Sequence, residues 1–116
     1  MSQQSRAIRR KNITDLARMT WERLWSEPMP AGWKVYLVRK TVIQNAYGRR
    51  VCGVIQRNRK TILIGRHTKH YSFKTLVHEL AHLRTLDEEA DHGPQWEYEF
   101  NSIALPLLGG ELDRDI

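Results

Sequence analysis

A chain of 116 residues, 41% hydrophobic and 28% charged, suits one soluble globular domain whose core is of modest size. No window approaches the roughly 18 apolar residues of a membrane span, and Met1-Ser2-Gln3-Gln4-Ser5-Arg6 leads into no apolar signal segment. A single cysteine, Cys52, excludes an internal disulfide and points to reducing, cytoplasmic surroundings.

The net charge of +6 hides a division. Residues 1–77 carry 17 Lys or Arg against 3 Asp or Glu, and residues 78–116 carry 2 against 10. One basic and one acidic surface are expected. The basic one suits DNA or another polyanion as partner, and suits a solvated face equally well.

Residues 1–11, with Arg6, Arg9, Arg10 and Lys11, read as a basic flexible tail ahead of a single domain over residues 12–116. Asn12 is placed to cap a helix, with Asp15 in the capping-box position. Ile13, Leu16, Ala17, Thr20, Trp21, Leu24 and Trp25 recur at intervals of three and four, an apolar stripe on a helix of about residues 13–26. Pro28 and Pro30 end it. The tryptophans Trp21, Trp25 and Trp33 read as core rather than as platforms for bases.

Three β-rich runs follow: Trp33 to Arg39, Gly48 to Gln56, and Thr61 to Gly65. The second holds Cys52 within Val51-Cys52-Gly53-Val54-Ile55, where the thiol reads as packing. Arg57-Asn58-Arg59-Lys60 is a hairpin turn between the last two runs. The simplest arrangement is a three-stranded antiparallel sheet with a basic face. The third run, just before the next helix, is the expected open edge, where a peptide can add as a further strand.

At Ser72 the period changes to that of a helix, with Phe73, Leu76, Leu80 and Leu83 on one face. Asp91-His92-Gly93-Pro94 breaks it, and Pro94 fits the first position of a last helix carrying Trp96, Phe100, Ile103 and Leu107, closed by Gly109-Gly110. The expected fold class is therefore α+β.

The helix after Ser72 contains His78-Glu79-Leu80-Ala81-His82, an H-E-x-x-H motif. With 5 His and 8 Glu in the chain, roughly 0.01 such matches are expected by chance. Histidines four apart on a helix share a face, about 6 Å apart at Cβ, and can reach one tetrahedral zinc. Zinc lowers the pKa of a water at its open position toward 7. Glu79, on the flank, is placed to take that proton as general base without occupying a ligand position. A catalytic zinc asks for three protein ligands. His92 is the candidate third; Asp87, Glu88, Glu89, Asp91 and above all Glu99 are carboxylate rivals. Arg66, His67, His70 and Tyr71, just upstream, are candidates to stabilise a developing oxyanion.

Thr75-Leu76-Val77-His78-Glu79-Leu80-Ala81-His82, followed by His92-Gly93-Pro94-Gln95-Trp96, resembles the SprT-like zinc metallopeptidases, whose pattern is H-E-L-x-H and then H-G-x-x-[FW]. The resemblance spans about residues 12–108, and its specific motifs span about 75–96. It implies a zincin-like fold, one Zn2+ held by His78, His82 and His92, Glu79 as catalytic base, and Trp96 packed behind the third ligand. It also implies a protein or peptide substrate, and some relatives act on proteins crosslinked to DNA. The chain has no counterpart of the zinc-ribbon cysteines of longer relatives, so the likeness is to a minimal catalytic domain. Two other readings use the same residues: a non-catalytic, zinc-stabilised module that binds nucleic acid, and a hydrolase of non-peptide amides. A structural zinc has no need of Glu79, which favours hydrolysis.

Overall fold

The computed structural model describes residues 10–66 and 72–116. Strand β1 (Lys11–Asn12) pairs antiparallel with β2 (Lys34–Arg39), Lys11 opposite Leu37 and Asn12 opposite Tyr36. Lys11, expected in the tail, thus belongs to the sheet; residues 1–9 lie outside the described residues. Asn12 then turns the chain into helix α1 (Thr14–Trp25), its Oδ1 accepting from the Thr14 N–H at 2.9 Å. Ala17, Trp21 and Leu24 are buried along one stripe of α1, as the periodicity predicts. The helix ends at Ser26, whose φ of 53° is left-handed, and Pro28 cannot continue it.

After β2 the chain enters a helix that the sequence reading leaves unassigned, α2 (Lys40–Tyr47), and then forms β3 (Gly53–Gln56) and β4 (Thr61–Arg66). The sheet is mixed and has four strands in the order β1-β2-β4-β3. β3 and β4 form the expected hairpin through a tight turn at Arg57–Arg59, closed by Lys60 in the left-handed region. β2 and β4, however, run parallel, Val35 opposite Ile62 and Leu37 opposite Ile64. This corrects the expected three-stranded antiparallel sheet. Parallel neighbours need a crossover, and residues 40–60 supply it by laying α2 across the sheet before β3 returns along the outside. β4 is consequently central rather than an open edge; the edge on that side is β3.

The two faces of the sheet are covered unequally. α2 caps one face, where Ile43, Val38 and Leu63 form a small cluster. The main core lies on the other face, where α1 and α3 (Ser72–Arg84) pack over Val35, Leu37, Ile62 and Ile64. Leu76, Val77, Leu80 and Ala81 of α3 are wholly buried there.

The last helical stretch is α4 (Pro94–Glu97), a π-helical turn over Tyr98–Ala104, and α5 (Leu105–Leu108). Pro106 explains the widening: it has no N–H, and its ring opposes the carbonyl four residues back. A π turn, with the Leu105 N–H bonded to the Phe100 carbonyl, accommodates it. Arg84 of α3 joins this stretch to the end of α1. Its guanidinium pairs with Glu27 and Glu99 and lies 5.0 Å from the Trp25 ring centroid, while Trp25 Nε1 donates to Glu99. Among the described residues no helix is long and apolar enough to cross a membrane.

Candidate metal centre

α3 presents His78 and His82 one turn apart, their ring centroids 4.8 Å from each other. The buried stripe of Leu76, Leu80 and Leu83 sets this orientation, because helix positions on the opposite side from the core stripe face outward. His92 arrives from the connection between α3 and α4. Its Nε2 lies 3.1 Å from His82 Nε2. Two ring nitrogens at that separation either share a proton or face a common cation. A tetrahedral metal with ligands about 2.1 Å away sets neighbouring donor nitrogens about 3.4 Å apart. One ligand atom from each of His78, His82 and His92 lies within 4.8 Å of the others, the one metal-competent group among the described residues.

The residues that hold His92 in place include Trp96, expected behind the third ligand, and Glu88, which the sequence offers only as one of several carboxylates near the metal. Glu88 folds back so that its carboxylate accepts from the N–H groups of Gln95 at 2.8 Å and Trp96 at 3.0 Å. It thereby caps the N-terminus of α4 from outside the helix, where N–H groups lack partners and the dipole favours an anion. Gly93 leaves room for this: a Cβ there would stand 2.6 Å from the Glu88 carboxylate. Trp96 forms the floor of the cluster. Its ring centroid is 4.2 Å from that of His92, 4.9 Å from His78 and 5.2 Å from His82. Its Nε1 donates to the His78 carbonyl at 3.2 Å, and Phe100 stacks beneath it. The aromatic one turn into the last helix thus packs behind all three histidines.

Glu79 is only 6% exposed, an uncommon position for a carboxylate. It lies between α3 and β3 with Oε2 3.1 Å from His78 Nδ1. With its proton on Nδ1, His78 donates to Glu79 and keeps Nε2 free as a ligand atom. β3 can approach so closely because residue 53 is glycine, whose added Cβ would stand 2.9 Å from Glu79 Cγ. Burial is the main cause lowering the His82 pKa, with nearby His78 and His92 acting the same way and Glu79 and Asp91 opposing. The outcome favours the neutral imidazole, the form that binds metals.

The carboxylate rivals are engaged or peripheral. Glu99 is taken by Arg84 and Trp25, and Glu88 by the α4 cap. Asp91 Oδ1 is 3.8 Å from His82 Nε2, with its side chain 87% exposed. Asp87 and Glu89 are exposed. Arg66 ends β4 in solvent, and His67, His70 and Tyr71 lie outside the described residues.

His78, Glu79, His82 and His92 open onto a cleft of about 740 Å³. One wall is the edge strand β3 with Arg50–Cys52 ahead of it, and the other is α3 and the acidic turn after it. No family model, curated protein or solved structure matches the chain.

Proposed function

We propose that this chain is a zinc-dependent peptidase of the SprT-like type. The observation that carries the reading is the meeting of three histidine donors and a buried glutamate on the floor of a cleft walled by an open sheet edge. The donor set supports zinc, because three neutral imidazoles with an accessible side suit a catalytic zinc. His78, His82 and His92 would hold it. Bound zinc would acidify a water and polarise the carbonyl under attack.

The chain's own residues do the rest. Glu79 accepts the proton of the attacking water on its carboxylate and returns it to the leaving amine. Trp96 and the Glu88 cap fix the imidazoles, so little reorganisation remains for the reaction. The β3 edge orients the substrate. The Gly65 N–H bonds the Cys52 carbonyl at 2.7 Å, so residues 52, 54 and 56 direct their backbone groups toward β4. Gly53 and Ile55 direct theirs outward, and an extended peptide can pair with them. Ile55→Pro removes one outward N–H and leaves the β3–β4 ladder intact. It should impair cleavage and spare zinc binding.

Contact between the basic residues and DNA, which would make DNA-associated proteins the substrates, and a cytoplasmic location belong to the same proposal. The lone free cysteine supports the latter. The test is casein or self-cleavage by the zinc-loaded chain and by Glu79→Gln, with and without single-stranded DNA. Hydrolysis by the wild type alone supports the reading; equal behaviour of the two proteins rejects it.

A further inference from the structure

The cleft is charge-polarised. Gly53 abuts Thr75 and Glu79, whereas Arg57, past the other end of β3, donates to the Leu86 carbonyl at 3.0 Å. β3 and α3 therefore run side by side in the same direction, and each end of the cleft has its own charges. At the end where both elements begin, Arg50 and Lys74 line the cleft, both exposed. Toward the other end, on the His82 side of Glu79, Glu89 and Asp91 line it, also exposed, with Asp91 Oδ1 3.8 Å from His82 Nε2. Glu88, bonded to the α4 N–H groups, and Arg57, bonded to the Leu86 carbonyl, keep opposite charges that offset one another at that end, so Glu89 and Asp91 set its sign. The histidines and Glu79 lie between the two ends.

We infer that the cleft selects an extended peptide carrying basic side chains toward its N-terminus and acidic side chains toward its C-terminus, on either side of the reacting bond. This rests on the reading of the cleft as a peptide groove. Antiparallel pairing, the more stable per residue, places a substrate's N-terminus at the end where β3 finishes. Its basic residues then face Glu89 and Asp91, and its acidic residues face Arg50 and Lys74. From Lys74 to Arg84 α3 rises about 15 Å, which an extended chain spans in about five residues. The complementary charges therefore sit about five residues apart.

The probes are two fluorescein-labelled eight-residue peptides of one composition. One has two lysines at its N-terminus, four alanines, and two glutamates at its C-terminus; the other has the reverse order. Binding is read by fluorescence anisotropy on the zinc-loaded Glu79→Gln chain, which prevents turnover. The lysine-first peptide should bind about tenfold more tightly, as several exposed pairs together allow, and about 0.5 M salt should remove the difference. Arg50→Glu with Lys74→Glu should abolish or invert the preference, and Glu89→Lys should weaken it. Asp91 is left unaltered because it borders His82. Equal affinities, failure of both peptides to bind, or a preference for the glutamate-first peptide overturns the inference. So does a preference that survives the double charge reversal. Charge-ordered binding with no cleavage by wild type would instead count against the peptidase reading and leave this inference standing.

Discussion

Gly93 adopts φ −75° and ψ −176°, an extended conformation open to any residue, so alanine there meets no backbone penalty. Its Cβ, however, would stand 2.6 Å from the Glu88 carboxylate, and the backbone around it is tied into α4. Glu88 must give way, releasing the Gln95 and Trp96 N–H groups that it holds at 2.8 and 3.0 Å. A lost N-cap costs about 0.5–2 kcal/mol, and an anion at a helix N-terminus about 0.3–1. Gly93→Ala should therefore destabilise by about 2 kcal/mol, a fall of roughly 8 °C in Tm for a chain of this length. Glu88→Ala removes the same cap directly and should cost about the same. The double variant should then also cost about 2 kcal/mol rather than 4, because the cap can be lost only once. Urea unfolding followed by tryptophan fluorescence measures all three. Additive losses, or a harmless Gly93→Ala, would refute the claim that this glycine serves the Glu88 cap.

Other expectations follow from the same geometry. Burial holds the His82 pKa below its ordinary value. Its contribution to stability is therefore complete above pH of about 6.5 and is lost as pH falls toward the folded-state value. The urea midpoint of the metal-free chain should drop below that pH, and His82→Gln should flatten the drop; an unchanged profile contradicts the assignment. Gly53→Ala would place a Cβ 2.9 Å from Glu79 Cγ and 3.1 Å from Thr75 Cγ2. It should cut kcat up to about a hundredfold through misplacement of the base, with zinc content by elemental analysis unchanged. Arg84→Met leaves the half-buried Glu99 without its cation and should cost about 1–3 kcal/mol in thermal unfolding, whereas Arg18→Met, at an exposed pair with Asp15, should cost far less.

The α+β class, α1, the β3–β4 hairpin and the motif helix were legible because each rests on a local periodicity or turn. The sheet order was not read correctly, although one signal for it was present. Thr61-Ile62-Leu63-Ile64-Gly65 is apolar without alternation, and all five residues are buried. A strand of that kind is covered on both faces, which is the mark of an interior strand next to a parallel neighbour. α2 escaped notice because Thr41, Val42 and Ile43 are β-branched and the helix buries only Ile43, too little to show a stripe. Tertiary need for a crossover decided its form. Of the candidate site, His78 and His82 follow from helical spacing alone. The position of His92 beside them depends on Glu88 reaching seven residues along the chain to cap α4, a link that no periodicity announces. Gly53 lies outside the motif, and its importance emerges only when β3 passes beside Glu79.

The most direct test of the account is elemental analysis of the purified chain and of His92→Ala, paired with casein hydrolysis by wild type and Glu79→Gln. The account predicts one zinc per wild-type chain, weakened zinc binding in His92→Ala, and hydrolysis that disappears in Glu79→Gln while its zinc remains. A wild-type chain that takes up no metal, or one whose hydrolysis is untouched by Glu79→Gln, would contradict it.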